Sequence, residues 1–315
     1  MSDPAFTVAL AAYNEEDWVG SAIRSVLAQT RDDFELVVVD DGSTDATADV
    51  IRGFQTDSRV RLVSQENTGL AGALNAAIAA GSAPYIGLID ADDRWMPTYL
   101  EEMGRVLDDD PQAGFAYPDA WGYNDPTRRF YRVSPNTYMG APDPPPNDPE
   151  QFLRLLVQSN FVFGLASIRR AAFDEVGGFN EALRACEDYE LWIRLLSHGY
   201  RAAYTPNRLV IVWDRGESMS KDERIMATHI REVCRITIED LDTSDEVKAL
   251  ARQRIRRMDR VLATLDGRAR TRAAWWAVRR RLGAIRRRAF GRSIWYPRTP
   301  PEVAAAFPDL AKRES

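Results

Sequence analysis

Residues 85–93 read Tyr-Ile-Gly-Leu-Ile-Asp-Ala-Asp-Asp, a short apolar run that ends in three acids within four positions. The apolar run indicates a buried strand, and the acids would lie in the turn that follows it. Folding alone does not require this arrangement, because neighbouring carboxylates repel one another. Carboxylate oxygens at this spacing suit Mg²⁺ or Mn²⁺ bound together with a phosphate-bearing substrate. The plainer interpretation is a solvated acidic turn that caps the next helix.

Strands and helices are predicted to alternate on both sides of this run. The predicted strands are 6–12, 34–40, 60–64, 85–90 and 114–118, and the helices between them are 18–27, 46–54, 70–80 and 99–107. This order predicts an α/β fold, with a mostly parallel sheet that is covered by helices on both faces. Ligands of such sheets bind at the carboxyl ends of the strands, where Asn14-Glu15, Asp40-Asp41 and Asp90–Asp93 would meet in one site.

The second half of the chain changes in character. Prolines crowd residues 135–149 and predict an irregular loop, a helix is expected over 150–158, and a short helix over 170–176 ends at Gly177-Gly178. After Lys221 the pattern becomes almost wholly helical. We therefore expect a catalytic domain over 1–220, a basic helical extension over 221–292 and a tail over 293–315.

Length and composition exclude several classes of protein. The chain has 315 residues and a net charge of −6, with no apolar stretch long enough to span a membrane and no signal-peptide pattern at its start, so a cytoplasmic protein is expected. Cys186 and Cys234 are far apart in sequence, which argues against a disulfide framework or a cysteine-ligated zinc site.

Charge is divided unevenly along the chain, because residues 251–292 contain 15 arginines and two acids. Interleaved with Trp275 and Trp276, these arginines suit a helix that docks on an anionic membrane surface, at the inner face of the membrane. The alternative is a helical extension that packs on the catalytic body or mediates self-association with a second subunit. Nucleic acid is not an expected partner, since no recognition motif accompanies the charge.

Six short motifs follow one another in a fixed order. They are Val8–Glu16 with Ser25–Thr30 after it, Val39–Asp45, Asn67–Asn75, Asp90–Asp93, Gly177–Glu181 and Glu187–Trp192. In this order they resemble the inverting nucleotide-sugar glycosyltransferases of family 2, over roughly residues 5–220. The resemblance implies a GT-A fold, a nucleotide-sugar donor that is UDP-linked, and Mn²⁺ or Mg²⁺ as cofactor.

The resemblance also implies roles on the donor side. Ala12, Tyr13 and Glu15 would line the nucleoside pocket, with Tyr13 near the base and Glu15 toward the ribose, and Asp41 would bind the base. Asp90, Ala91 and Asp92 match the DxD motif of the family. Asp92 is the expected metal ligand, Asp90 lies nearer the ribose or donor sugar and is a second candidate ligand, and Asp93 braces the turn.

On the acceptor side the resemblance implies that Asp188 is the general base. Gly178 and Glu187 would then contact the acceptor, a saccharide or lipid-linked saccharide. Helix-dipole placement of acids in a first turn is the structural alternative for Glu187-Asp188. A general base is needed because an acceptor hydroxyl is a poor nucleophile until a carboxylate takes its proton.

Two positions depart from the pattern of the family. Leu74 stands where many members have arginine, and Arg215 stands where many have a histidine before a serine-rich loop. Arg215 could neutralise the diphosphate of the donor, which would lessen the need for the metal, or it could be a surface arginine.

The leading hypothesis is therefore an inverting glycosyltransferase that builds a cell-surface glycan or glycolipid. Nucleotidyl transfer is a second class, but such enzymes open with a glycine-rich basic loop, and residues 11–16 are neither. A non-catalytic sugar-nucleotide-binding assembly protein is a third, and the presence of both Asp92 and Asp188 argues against it.

Overall fold

The computed structural model describes residues 3–134, 136, 140–162, 164–215, 221–268, 295–296 and 299–312. Ten strands of this described part join in one sheet. They are Phe6–Ala12 (β1), Phe34–Asp40 (β2), Val60–Ser64 (β3), Tyr85–Leu88 (β4), Arg94–Trp95 (β5), Ala113–Asn124 (β6), Arg129–Val133 (β7), Ser167–Arg169 (β8), Arg201–Asp214 (β9) and Trp295–Tyr296 (β10).

The sheet has a parallel half and a mixed half. Strands β3, β2, β1 and β4 lie side by side in this order and are all parallel. Beyond β4 the order continues with β8, β6, β7 and β10 through antiparallel pairs, while β9 pairs parallel with β6 and antiparallel with β5. The predicted α/β class is confirmed, and the antiparallel pairs fall in the half where the strand-helix alternation of the sequence breaks down.

The register of the parallel half aligns the strand ends. Ala12 lies opposite Asp40, and Asp40 lies opposite Ser64. On the other side of β1, Ala9 lies opposite Leu88, so that the acids after β4 are level with the residues that follow β1. Strand β4 ends two residues before Asp90, earlier than predicted.

Helices cover both faces of the sheet. They are Val19–Leu27 (α1), Thr47–Arg52 (α2), Leu70–Ala80 (α3), Tyr99–Asp109 (α4), Pro149–Gln158 (α5), Arg170–Val176 (α6), Glu187–Ser197 (α7), Glu223–Glu239 (α8), Asp245–Arg268 (α9), Pro301–Ala306 (α10) and Pro308–Lys312 (α11). Side chains of β2 alternate between two core clusters, with Val37 and Val39 in one and Leu36 and Val38 in the other. Both faces of the sheet are therefore buried, as expected for a sheet between helices.

Gly87 in β4 lets an aromatic ring lie directly on the sheet. A Cβ at this position would be 2.7 Å from a ring carbon of Trp95, which is buried and stacks on Tyr99 with 3.8 Å between ring centroids. Trp95 follows the acidic turn by two residues, so this packing fixes the chain immediately after Asp93.

The last described segment packs against the β-sheet body formed by the first 215 residues. Val303, Phe307 and Leu310 are buried in a third apolar cluster together with Trp121 and Trp213. Asp309 pairs with Arg94 at 3.0 Å. The segment 299–312 therefore lies directly behind the acidic turn.

Three other predictions concern segments of the second half. Pro149, expected in the proline-rich loop, is the first residue of α5, where Asp148 caps the helix. Helices α8 and α9 confirm the helical pattern after Lys221 up to Arg268. Residues 216–220 and the basic segment 269–294 with Trp275 and Trp276 lie outside the described residues, and the division into domains at 220 and 292 stays a prediction.

Among the described residues, we find no helix that combines the length and the apolar character required to cross a bilayer.

Candidate active site

The acidic turn brings three carboxylates together. Ligand oxygens of Asp90, Asp92 and Asp93 lie within 4.8 Å of one another, at the carboxyl end of β4. Asp93 is buried, and its Oδ1 accepts a hydrogen bond of 2.9 Å from the backbone N–H of Trp213, so it connects the acidic turn to β9. Asp90 and Asp92 are more open, with Ala91 buried between them.

Burial, together with neighbouring carboxylates, raises the pKa values of Asp90 and Asp93. Asp90 is accessible to solvent, yet so many protein atoms surround it that desolvation raises its pKa to about 7, with added contributions from Asp92, Glu187 and Glu15. Burial, followed by the charge of Asp92, raises the pKa of Asp93 well above its usual value. Carboxylate oxygens are the ligands that Mg²⁺ and Mn²⁺ prefer, and a divalent cation would relieve this repulsion. The donor set therefore fits such a cation.

Arg215, directly after β9, places its guanidinium between two of the predicted donor-site acids. Its Nη1 and Nη2 donate to both oxygens of Glu15 at 2.8 and 2.9 Å. Nη2 also lies 2.8 Å from Oδ2 of Asp92, and the guanidinium carbon is 5.3 Å from the centroid of the Trp18 ring. The sequence offered contact with the diphosphate as one of two interpretations of Arg215, but it did not indicate Trp18. The available signal for Trp18 was its position directly after the acids Glu15, Glu16 and Asp17.

The loop after β1 is joined to the loop after β2 by hydrogen bonds. The backbone N–H of Asn14 donates to Ser43 Oγ at 3.0 Å, and Asn14 Oδ1 accepts from the N–H of Thr44 at 2.8 Å. The N–H of Glu15 donates to Thr47 Oγ1 at 2.7 Å. Between buried Ala12 and this loop, Tyr13 is 49% exposed, so its ring is free to stack on a planar ligand.

Asp41 is buried and binds the chain at the start of the motif Asn67–Asn75. Its Oδ1 accepts from Gln65 Nε2 at 2.8 Å and from the N–H of Thr68 at 2.9 Å, and its Oδ2 accepts from the N–H of Gly69 at 2.9 Å. Asp41 thus fixes the start of α3. Oδ2 accepts only this one bond among the described residues, which leaves a lone pair for a further donor.

Glu187 and Asp188 lie in the first turn of α7. Burial is the main cause that raises the pKa of Asp188 to about 6; a hydrogen bond from the N–H of Tyr189 opposes the rise and the charge of Asp90 adds to it. Burial and the charge of Asp188 raise the pKa of Glu187 to about 7. These mutual influences show that the acids of α7 lie close to those of the acidic turn.

Asn160 is a site residue that the sequence did not indicate. Its side chain hydrogen-bonds the carboxylate of Asp188, and its Oδ1 accepts from the N–H of Val162 at 3.2 Å. The available signal was the position of Asn160 directly before the apolar run 161–168. Asn160 therefore orients the acid that the motifs assign as base.

The turn before α7 is clamped from two sides. Gly177 and Gly178 have φ values of 90° and 78°, which side chains with a Cβ rarely adopt. Asn75 of α3 accepts from the N–H of Phe179 at 2.9 Å and donates to its carbonyl at 3.0 Å. Arg194 donates to the carbonyl of Gly178 at 2.6 Å from the other side. Gly178 is thus fixed relative to α3 and α7.

Comparison with known proteins decides the family. The sequence profile described as glycosyl transferase family 2 matches residues 7–177, more than half of the chain. The chain belongs to glycosyl transferase family 2. The family predicted from the order of the motifs is confirmed, and so is the prediction of a glycosyltransferase at the level of the family.

Relatives of this family 2 protein are found both by sequence and by structure. The succinoglycan biosynthesis protein ExoU of Rhizobium meliloti is 31% identical over 326 aligned positions, which cover 95% of this chain and 84% of ExoU. Two other curated relatives are matched over only 32% of their own length.

Solved structures confirm the GT-A fold. S. aureus TarS 1-349, in complex with UDP-GlcNAc, superposes with a TM-score of 0.61 at 20% identity, covering 79% of this chain and 70% of TarS 1-349. The mannosyltransferase PcManGT from Pyrobaculum calidifontis, in complex with GDP-Man and Mn²⁺, has a TM-score of 0.59 at 21% identity, covering 90% and 81% of the two chains.

Proposed function

We propose that this protein is an inverting glycosyltransferase that moves a sugar from a nucleotide-sugar donor, UDP-linked, to an acceptor hydroxyl. The observation that carries the proposal is the pairing of Asp188 with the acidic turn, in which the charge of Asp90 contributes to the raised pKa of Asp188. A base on one side and a cation-binding turn on the other are what direct displacement at an anomeric carbon requires.

The donor is proposed to lie over the ends of β1, β2 and β4. Exposed Tyr13 would stack on the base beside Ala12, the free lone pair of Asp41 would accept a hydrogen bond from the base, and Glu15 would accept from a ribose hydroxyl. Binding of UDP-GlcNAc by TarS and of GDP-Man by PcManGT supports a sugar nucleotide as the donor class.

Asp92, with Asp90, is proposed to bind Mn²⁺ or Mg²⁺, with Ala91 setting the turn between them. When bound, the cation would neutralise charge on the diphosphate leaving group. The complex of PcManGT with Mn²⁺ supports this assignment. Arg215 would add a second positive charge on the same side, since its guanidinium already lies 2.8 Å from Asp92.

Asp188 is proposed to take the proton of the acceptor hydroxyl while that oxygen attacks the anomeric carbon. The C–O bond to the nucleoside diphosphate breaks on the opposite face, so configuration inverts. Its pKa of about 6 suits this role, because the carboxylate is ionised at neutral pH and is still more basic than an ordinary aspartate. Gly178 and Glu187 would contact the acceptor beside it.

The acceptor is proposed to be a saccharide or lipid-linked saccharide in the synthesis of a cell-surface polysaccharide, by analogy with the succinoglycan biosynthesis protein ExoU. We also propose that the enzyme works in the cytoplasm, at the inner face of the membrane. Arg252, Arg256 and Arg257 of α9 support this, because they are exposed and none of them pairs with a carboxylate among the described residues.

Asp188→Asn tests the proposed base. Thermal-shift screening of UDP- and GDP-sugars with and without Mn²⁺ first identifies the donor. The variant should then lose transfer by about 10²–10⁴-fold while nucleotide affinity, measured by calorimetry, changes by less than about twofold, since the base acts only in the chemical step.

Asp174→Asn, an exposed aspartate on α6, is the matched control and should leave both quantities unchanged. Wild-type transfer should also decrease as the pH falls below about 6, where Asp188 takes up a proton. Parallel loss of transfer and nucleotide affinity in Asp188→Asn would refute the assignment.

A further inference from the structure

Arg215 already provides a positive charge next to the carboxylates of the acidic turn. It reaches Asp92 directly at 2.8 Å, and it forms a two-point pair with Glu15 at 2.8 and 2.9 Å. The guanidinium of Arg215 therefore contacts Glu15, which is proposed to bind the ribose, and Asp92, which is proposed to bind the metal.

Arg215 is well placed to remain there in the absence of ligand. Its side chain is 27% exposed, and the ring of Trp18 lies 5.3 Å from its guanidinium carbon. An arginine stays protonated at every physiological pH, so its charge cannot be removed by titration. Its Nε–H, however, is buried and has no acceptor in the described part of the chain, so the contact leaves one donor unsatisfied.

A divalent cation and this guanidinium cannot both bind Asp92 without strong repulsion. They would share one carboxylate and lie only a few ångströms apart, where charges of the same sign repel one another. A nucleoside diphosphate changes this balance, because its phosphate oxygens accept the forked donors of an arginine as well as carboxylates do. The diphosphate also carries negative charge that offsets both cations.

We propose that Arg215 is an internal counter-ion that competes with the divalent metal for Asp92 until the nucleoside diphosphate arrives. Metal and nucleotide then bind cooperatively, and Arg215 moves from the carboxylates of Glu15 and Asp92 to the diphosphate. This inference rests on the proposed function for the identity of the nucleotide ligand. The competition between Arg215 and the metal stands on the geometry of the acidic turn alone.

The test is a Mn²⁺ titration followed by electron paramagnetic resonance, which counts free Mn²⁺ without any catalytic turnover. Arg215→Gln should bind Mn²⁺ about tenfold or more tightly than the wild type in the absence of nucleotide, since the competing charge is gone. Added UDP should tighten Mn²⁺ binding to the wild type by about the same factor, and should tighten it much less in the variant.

Arg208→Gln is the matched control, because it removes the same charge from β9 while its guanidinium lies over the ring of Trp121, 5.0 Å from the centroid. It should leave the Mn²⁺ affinity unchanged. Equal Mn²⁺ affinity of Arg215→Gln and the wild type would overturn the proposal. If circular dichroism shows that Arg215→Gln does not fold, Arg215→Met decides instead, because it removes the charge but keeps a long side chain that can pack on Trp18: tighter Mn²⁺ binding supports the proposal and unchanged binding overturns it.

The two proposals fail in different ways. If neither UDP nor GDP binds to the wild type with or without Mn²⁺, the nucleotide-sugar function is wrong, whereas the comparison of Mn²⁺ alone still decides whether Arg215 competes. If UDP binds and Arg215→Gln leaves the Mn²⁺ affinity unchanged, the function survives and the competition is refuted.

Discussion

Asp41 and Asp93 are acids at strand ends whose carboxylates bind inside the protein. Asp41 accepts from the N–H groups of Thr68 and Gly69, and Asp93 accepts from the N–H of Trp213. In sequence each is one of two adjacent acids, Asp40-Asp41 and Asp92-Asp93. These bonds could not be predicted from the sequence, because their donors come from residues 24 or more positions away and depend on how the loops fold.

Asp119 in β6 is a buried acid outside the proposed site. It is 4% exposed, and its carboxylate accepts from the hydroxyl of Tyr204 at 2.8 Å. Burial is the main cause that raises its pKa from an ordinary 3.8 to about 6. The folded protein therefore retains this proton between about pH 4 and pH 6, where the unfolded chain has released it.

Asp119→Asn should stabilise the protein at neutral pH. The contribution of the wild-type acid to stability is fully present below about pH 4 and is lost as the pH rises through about 6, at a cost of up to about 3 kcal/mol. The asparagine can accept the same bond from Tyr204 without a charge. Urea unfolding should show a gain of about 1–3 kcal/mol at pH 7.5 that nearly disappears at pH 4.

Asp242→Asn, at an exposed position, controls for the loss of charge and should change the stability by less than about 0.5 kcal/mol at either pH. A gain of equal size at both pH values in Asp119→Asn would show that desolvation of the charged form is not the cause.

At the scale of elements, α3 and α7 are connected by a clamp that periodicity does not reveal. Asn75 makes two hydrogen bonds with the backbone of Phe179, at 2.9 and 3.0 Å, and donates to Glu181 Oε1 at 2.8 Å. The motif order placed Asn75 next to Leu74, where other family members have arginine, but it did not show the partner. Each helix can be predicted from its own sequence pattern. The connection between α3 and α7 depends instead on the turn between α6 and α7, which both helices contact.

Asn75→Ala should loosen the turn 177–181. Loss of the clamp should lower the free energy of unfolding by about 2 kcal/mol, because two backbone groups lose their partners. Hydrogen exchange followed by mass spectrometry should show faster exchange at the amide of Phe179. Gln158→Ala, which removes an exposed carboxamide at the end of α5, should do neither, and unchanged exchange at Phe179 in Asn75→Ala would refute the clamp.

At the scale of the whole molecule, the C-terminal segment belongs to the catalytic body. Arg94, next to Asp93, lies between the rings of Trp213 and Phe307, at 5.1 and 5.5 Å from their centroids, and pairs with Asp309. Phe307→Ala should cost about 3 kcal/mol of stability and should weaken Mn²⁺ binding, because the support behind the acidic turn is lost. Urea unfolding and Mn²⁺ titration measure the two effects.

Glu302→Gln on the exposed side of α10 is the control for Phe307→Ala and should leave both quantities nearly unchanged. Unaltered unfolding of Phe307→Ala would mean that the segment packs without contributing to the stability of the domain.

The arginines of α9 predict binding to an anionic membrane. Asp259 and Asp266, the acids in the second half of this helix, are paired with Arg231 and Arg224 of α8, and the arginines around them have no carboxylate partner in the described residues. Replacement of Arg252, Arg256 and Arg257 by glutamine should reduce co-sedimentation with phosphatidylglycerol vesicles, by roughly tenfold at low salt.

Substitutions are preferable to a deletion of 251–315, which would also remove the segment that packs behind the acidic turn. A control with the same loss of charge on α1, α2 and α4, at Arg24, Arg52 and Arg105, should bind vesicles like the wild type. If the unaltered full-length chain does not bind the vesicles, membrane docking is wrong.

The sequence by itself determined the strands β1 to β4, the helices between them and the family, because periodic burial and motif order are local properties of the chain. It also brought Glu15, Asp41 and Asp92 to one edge, since parallel strands share the direction in which they end. The tertiary structure alone decided that Arg215 binds Glu15 and Asp92, that Asn160 bonds Asp188, and that residues 299–312 lie behind Arg94. Asn160 and Asp188 are 28 positions apart, and Arg94 and Asp309 are more than 200 positions apart. The geometry of such contacts depends on how the faces of the sheet pack, which no local sequence pattern encodes.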